Sequence, residues 1–426
     1  MKKKDGYVLD TTYPIFFYKE MQPVWLNTVV NFLGFRSPNI EDAFSYLELA
    51  CATGTNLIVS AINNPNGYFV GVDFNKAHID KANESVESIG IKNVEFIHCD
   101  FATFLELNNK KFDFIVNHGT FSWVSPIHQK NILDIVSNFL NENGIFYLHY
   151  MCYPGSTNLL PIQKLFNLVD AHVQDTTLKS VEIGKTLFSD LNAAGAFVNN
   201  SQIDPIIRTM GNSHAYLAHE FLTDYWQPLF SVDLHKKVFE STEMTYLGSA
   251  NPCDNIDSIS IPSKMQNVIK NIQAPALKEY LKDLARDSKQ RIDIFQKKPR
   301  VLEGNVHLST LSQIKFKLLP GVPQKGGVTF KTLIGDIKAP PEIISPVLES
   351  LSKKDMQFSE FLNFSSFKNN PMFLIETIFL LMNANYIYPI FNQNHFVDKD
   401  FVKRFNAIME NDGMNLRIIS DSGAVA

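Results

Sequence analysis

A strand-like run that breaks at small residues and passes straight into a helical pattern restricts this chain's fold more than any other stretch. It reads Tyr46-Leu47-Glu48-Leu49-Ala50-Cys51-Ala52-Thr53-Gly54-Thr55-Asn56. A turn of this kind presents backbone N–H groups and a helix N-terminus to a ligand. An acid ends the next apolar run, Tyr68-Phe69-Val70-Gly71-Val72-Asp73, and Asp100 follows a third, Val94-Glu95-Phe96-Ile97-His98-Cys99. Glu48, Asp73 and Asp100 are therefore expected near the carboxyl ends of neighbouring parallel strands, where open α/β sheets bind ligands.

The alternation continues beyond these runs. Ile115-Val116-Asn117 is expected as a fourth strand, Gln129 to Leu140 as a helix and Gly144 to Tyr150 as a fifth strand. That order implies an α/β fold with a parallel sheet covered on both faces. Val24 to Phe35 reads as an amphipathic lead-in helix. After the turn Tyr153-Pro154-Gly155, helical patterns run to about Tyr225, then a helix from Asp233 to Glu240 and one returning strand, Met244 to Leu247. Helices are expected again from Lys264 to about Phe295. From Val301 on, Val306-His307-Leu308 and Gln313 to Leu318 read as strands. Pro341 to Leu351, Phe358 to Phe361 and Met372 to Met382 read as short helices. Three domains follow: residues 1–156, 157–300 (helical, with the returning strand) and a small mixed domain at 301–426 with an order resembling a winged helix.

At 426 residues the chain exceeds one ordinary core, and 45% hydrophobic against 19% charged residues fits a globular protein. A net charge of −5 provides no basic field for duplex nucleic acid, so none is expected as a partner. Lys2-Lys3-Lys4 reads as a solvated terminus. Tyr13 to Phe17 is too short for a signal-peptide core, and Met372 to Met382, which contains Glu376, falls short of a membrane span. Cys51, Cys99, Cys152 and Cys253 show no metal spacing and read as reduced thiols, which points to the cytoplasm.

The three acids suit a sulfonium nucleoside, S-adenosylmethionine (SAM). Asp73 can accept both ribose hydroxyls, and Asp100 the adenine amine, with Phe101 lining the ring's pocket. A nicotinamide enzyme would place an acid similarly but usually shows GxGxxG, absent here. Gly54 gives the small residue needed for close backbone approach. Ala50 and Ala52 stand where such loops usually carry glycine, and an alanine disfavours positive φ, so a reshaped or wider loop is expected. Taken singly, the turn is also compatible with an ordinary strand-to-helix connection and each acid with a helix cap. Past the fourth strand, His118 reads as a base or a polar contact to the methionine part and Trp123 as a wall of the acceptor channel; Tyr150 and Tyr153 are further acceptor-pocket candidates. His214 and His219, five apart, leave a common helical face and do not read as metal ligands.

These residues resemble class I SAM-dependent methyltransferases that carry a methyltransferase regulatory domain. The likeness runs through Phe17 to Pro23, Gly71 to Asn75, His118 to Trp123, Tyr150 to Gly155, Tyr216 to Phe221 with Trp226, and Tyr246 to Ala250. It extends to Ile292 to Phe295 and Pro340 to Leu348. It implies a Rossmann-like class I methyltransferase sheet with a helical regulatory region and a small C-terminal domain. It also implies SAM as cofactor, bound by Tyr18, Glu48, Ala50, Ala52, Gly54, Asn56, Asp73, Phe74, Asp100, Phe101, Asn117 and His118. His118, Trp123, Tyr150 and Tyr153 are the implied catalytic set, with no metal. Some relatives are protein-lysine methyltransferases acting on bacterial outer-membrane proteins, which makes a protein lysine one implied acceptor. Alanine at 50 and 52 and Cys152-Tyr153 before Pro154-Gly155 depart from the family pattern. The expected reaction is direct displacement of the sulfonium methyl by the acceptor, driven by positioning and desolvation. A small-molecule methyltransferase and an inactive SAM-binding scaffold are the alternatives.

Overall fold

The computed structural model describes residues 2–173, 175–200, 203–368, 370–390, 397–420 and 422–426. Its centre is a seven-stranded sheet: β1 (Phe44–Leu49), β2 (Gly67–Asp73), β3 (Val94–His98), β4 (Phe112–Asn117), β5 (Leu140–Met151), β6 (Met244–Ser249) and β7 (Gln290–Lys297). The strand order is β3-β2-β1-β4-β5-β7-β6. The first five are parallel; β7 runs antiparallel to β5, and β6 to β7.

Burial on both faces explains the nearly continuous apolar strands. On one face Tyr46, Phe69, Phe114 and Tyr147 pack under α1 (Pro23–Phe32) and α2 (Thr55–Asn63). On the other, Leu47, Val70, Ile115 and Phe146 meet α4 (Phe101–Leu107), α5 (Pro126–Phe139) and α10 (Ser231–Thr242). Helix α3 (Lys76–Ile89) lies beside β3. Between β5 and β6, α6 (Leu160–His172), α7 (Thr177–Ala193), α8 (Ile203–Met210) and α9 (His214–Phe221) share a separate apolar cluster.

The lead-in helix is not amphipathic in place. Eight of its ten residues are buried, because its outer side is covered by Phe316, Phe379 and Tyr388 of the C-terminal region. Two strands return to the sheet after the helical segment rather than one. The run Arg291-Ile292-Asp293-Ile294-Phe295, expected within a helix, is the middle of β7. Its charged residues are buried and mutually satisfied. Arg291 donates to Asp283 (2.5 Å), Asp293 (3.1 Å) and Glu279 (2.8 Å), and Asp293 also accepts from Tyr150 Oη (2.7 Å). Val306-His307-Leu308 lies in a helix, Gly304–Ser312, instead of a strand. Lys315–Leu318 is the centre of a three-stranded antiparallel sheet, between Met356–Gln357 and Ile387–Ile390. No described helix is long and apolar enough to cross a membrane.

The N-terminal lysines are not all solvated. A two-strand ribbon, Lys3–Lys4 with Tyr7–Val8, docks on the helical segment. Lys2 and Lys3 both pair with Asp170, and Lys3 reaches Asp224 at 2.8 Å. Asp10 accepts from the Thr177 backbone N–H (3.0 Å) at the start of α7. This tethers residues 2–18 across the carboxyl ends of the strands.

Candidate functional site

The turn after β1 keeps its left-handed shape despite its alanines: φ is +60° at Ala50, +48° at Ala52 and +75° at Gly54. Both alanines thus stand in the left-handed region and carry strain of roughly 1–2 kcal/mol each. Tertiary contacts hold the turn in place. The Ala52 N–H donates to Asp73 Oδ2 (3.0 Å), and Cys51 N–H to Val72 O (3.1 Å). Gly54 is required by Phe96, whose ring lies 2.3 Å from where a Cβ would stand. Ala52→Gly should leave the melting temperature nearly unchanged, because relief of strain offsets about 0.4–1 kcal/mol of added unfolded-state freedom. Ala52→Val, with a β-branched side chain at this φ, should lower it by several degrees and weaken SAM binding about tenfold. Thermal denaturation and calorimetry check both, and an unaltered Ala52→Val protein would contradict the strained-loop account.

The turn forms one wall of a pocket of about 1140 Å³, counting its mouth. The structure brings to it Tyr18, Glu48, Ala50, Ala52, Asn56, Asp73, Phe74, Asp100, Phe101 and His118. Asp73 ends β2, where one carboxylate oxygen accepts from Ala52 and the other from the Asn75 N–H (2.8 Å). Glu48 projects from β1 between Gly71 and Val116. It is buried, its Oε2 has no hydrogen-bond partner, and burial followed by the Asp73 charge pushes its carboxyl up to about 8. A buried acceptor without a donor is costly and suits a ligand that brings one. Asp100 caps α4, accepting from Thr103 N–H (2.8 Å), a bond that holds its carboxyl below its ordinary range. It is thus both a helix cap and a pocket residue.

Asn56 acts indirectly. Its Oδ1 accepts from the Tyr18 backbone N–H (2.8 Å), fastening the N-terminal segment over the pocket. Gly54 lies beneath the turn, and Asn117, at the tip of β4, donates to Leu49 O (3.0 Å) with its own Oδ1 buried and unpartnered. Tyr18 stacks on His118 (3.7 Å between centroids), His118 on His149 (4.1 Å), and His149 faces Trp123 (6.0 Å). His118 Nδ1 meets Tyr147 Oη at 2.8 Å, and His149 Nδ1 accepts from Gly119 N–H (3.0 Å). Burial drives His118 well below its ordinary value and His149 to about 4, so both imidazoles are neutral at pH 7. A site for a cationic sulfonium gains from that neutrality.

Trp123 supports this stack from behind and does not line the pocket. Tyr150 and Tyr153 are not brought to it at all: the Tyr150 hydroxyl is bound to Asp293, and Tyr153 packs on Phe230 (4.7 Å). Strand parity is the reason for Tyr150, whereas Tyr153 lies past the end of β5, in the turn before Pro154. Tyr147 and His149 share the face of Glu48 and Val116, whereas Leu148 and Tyr150 point to the opposite one. That same period-two rule would have selected His149, which the sequence reading missed. Tyr7 and Tyr13 were also missed; both line the pocket from the N-terminal segment, which carried no motif of its own. His219 is buried, its Nε2 3.0 Å from Thr11 O.

The left-handed turn, the partnerless Glu48 oxygen and the Asp73 carboxylate fit a cationic nucleoside such as SAM. Comparison with known proteins agrees. Residues 40–207 match the family described as "Methyltransferase domain", and residues 213–297 the family described as "Predicted methyltransferase regulatory domain". An uncharacterised protein of Synechocystis sp. is 27% identical over 401 residues, covering 92% of this chain and 78% of the relative. An uncharacterised protein of Rickettsia prowazekii is 33% identical over 232 residues, 50% of this chain and 41% of that protein. The fold is that of PKMT2 from Rickettsia typhi: TM-score 0.68 at 20% identity, covering 90% of this chain and 78% of that one. The same protein in complex with AdoHcy gives 0.66, also at 20%, over 88% and 77%. The pairing of the two domains on this sheet identifies the chain as an S-adenosylmethionine-dependent methyltransferase with a methyltransferase regulatory domain.

Proposed function

We propose that the acceptor of the methyl group is a protein lysine. When bound, SAM supplies an electrophilic methyl on a sulfonium that leaves as neutral AdoHcy. In this reading Asp73 accepts the ribose hydroxyls, Asp100 and Phe101 receive the adenine, and Glu48 with the Ala50–Gly54 turn holds the methionine part. His118, neutral and hydrogen-bonded to Tyr147, is a polar contact and an aromatic wall; an imidazole so far below its ordinary range is a poor base. Asn117 steadies the end of β1 through Leu49.

The observation that carries the lysine reading is the uncharged aromatic stack Tyr18–His118–His149 beside the turn. An amine must be neutral to attack, and desolvation against aromatic faces disfavours its ammonium form. The family resemblance supports the same acceptor, because some members methylate protein lysines. We read the C-terminal region as an accessory unit of winged-helix type: helix, short strand, two helices and strand follow in order from Pro341 to Ile390. Incubating the purified protein with methyl-labelled SAM and a cell extract tests the acceptor. Label is expected in protein, as methylated lysine after hydrolysis; label confined to small molecules would establish the alternative, a small-molecule methyltransferase.

A further inference from the structure

A second cavity lies where the regulatory domain meets the C-terminal region. It measures about 1340 Å³, counting its mouth, and shares no lining residue with the cofactor pocket. Ser249, at the end of β6, and Gln290 and Arg291, at the start of β7, contribute one part of its wall. Lys331-Thr332-Leu333 contributes another, at the tip of the hairpin that pairs Val328–Thr332 with Gly335–Ala339. Arg286, the last residue of the helix Pro275–Arg286, also lines it, and its side chain is only 5% exposed. Its Nη2 donates to Asp254 O (2.6 Å) and Ser260 Oγ (2.9 Å). Its Nε is buried without a partner, and Nη1 meets no acceptor among the described residues. The carboxylate that pairs with it, Asp257, stands 3.9 Å from Nη2 and is already engaged by Lys282 at 2.7 Å.

A guanidinium can only donate, and leaving its N–H groups unmet in the interior is costly unless a ligand brings acceptors. The rest of the lining repeats that surplus of donors. Lys331, exposed at the hairpin tip, has no partner among the described residues. Asn251 spends its Oδ1 on the Cys253 N–H (3.2 Å), while its amide N–H groups are unspent among the described residues. Lys289 and Arg291 add cations, although Arg291 is offset by Asp283, Asp293 and Glu279. The acids on the wall are Asp287 and Asp254, and Asp254 accepts from Ser249 Oγ (3.3 Å). We propose that this cavity binds a small molecule through its phosphate group, held by Arg286, Lys331 and Asn251. A phosphate spreads its oxygens over separated donors, whereas a carboxylate would be taken up by the guanidinium alone. The volume accommodates a molecule of nucleotide size. A ligand seated there fastens the C-terminal hairpin to the regulatory strands, which is a role separate from methyl transfer.

Calorimetric titration of pyrophosphate into the full-length chain tests the site, with AdoHcy saturating the cofactor pocket and potassium chloride holding the ionic strength constant. The wild-type protein is expected to bind. Lys331→Glu, at an exposed position, should weaken pyrophosphate about tenfold or more. Arg286→Lys keeps the charge but removes the unspent donors, and should weaken it by a similar factor. In both variants SAM affinity, measured without AdoHcy, should stay within about twofold of wild type, which shows that the fold is intact. Lys331→Glu decides the matter alone if Arg286→Lys does not fold. A wild-type protein that gives no binding heat, or a folded variant that binds pyrophosphate as tightly as wild type, would overturn the proposal.

Discussion

Asp73→Ala is expected to weaken SAM binding by at least 100-fold. Two charge-assisted hydrogen bonds to ribose hydroxyls, at roughly 1.5–3 kcal/mol each, set that scale. The carboxylate is buried and held from two sides, by the Ala52 and Asn75 N–H groups, so its remaining lone pairs are already oriented toward the pocket. The substitution also strips those two donors of their acceptor, and the melting temperature should drop by a few degrees without loss of the folded state. Asp73→Asn separates the effects: its one carbonyl oxygen can keep a single backbone N–H, so the turn is partly preserved while affinity still falls. Calorimetric titration of SAM into each variant reads this directly. Unchanged affinity in Asp73→Ala would remove ribose from this strand tip.

The second large effect is in pH. The Glu48 carboxyl sits near 8 in the folded protein and near its ordinary 4.5 when unfolded. Between these values the native state carries the extra proton, so this group's contribution to the stability of the ligand-free protein declines as pH rises across that window. SAM reverses the preference, because its cationic groups favour the ionised carboxylate. Binding near pH 7 should therefore release close to one proton, visible as a buffer-dependent calorimetric enthalpy. Affinity should rise about 20-fold from pH 6 to 7.5 and level off near 8, where the ligand's α-amino group begins to lose its own proton. Glu48→Gln should flatten the profile. A wild-type affinity independent of pH over this range would mean that Glu48 does not meet the ligand.

The parallel half of the sheet was legible because each strand is a run of apolar residues closed by a small residue or an acid, with a helical period between runs. Burial on two faces leaves that pattern little freedom. The antiparallel half was less legible. In β7, Arg291 and Asp293 interrupt the apolar run, and only their mutual pairing with Asp283 and Glu279 makes them interior residues. Nothing in a local window announces a partner from another element. Within the site, Glu48, Asp73 and Asp100 could be placed from strand ends alone. Tyr150 could not be excluded without fixing the parity of β5, the same step that would have disclosed His149, nor Tyr153 without knowing that β5 ends at Met151 and that its ring packs on Phe230. The aromatic roof was hidden for a different reason. Tyr7, Tyr13 and Phe16 lie in a segment without regular periodicity, and ion pairs to Asp170 and Asp224 on distant parts of the chain hold it in place.

A crystal structure of the protein with AdoHcy tests the account at its root. Both ribose hydroxyls are expected within about 3 Å of the Asp73 carboxylate, the adenine between Asp100 and Phe101, and the amino group against the free oxygen of Glu48. A nucleoside seated elsewhere, with these three carboxylates untouched, would contradict it.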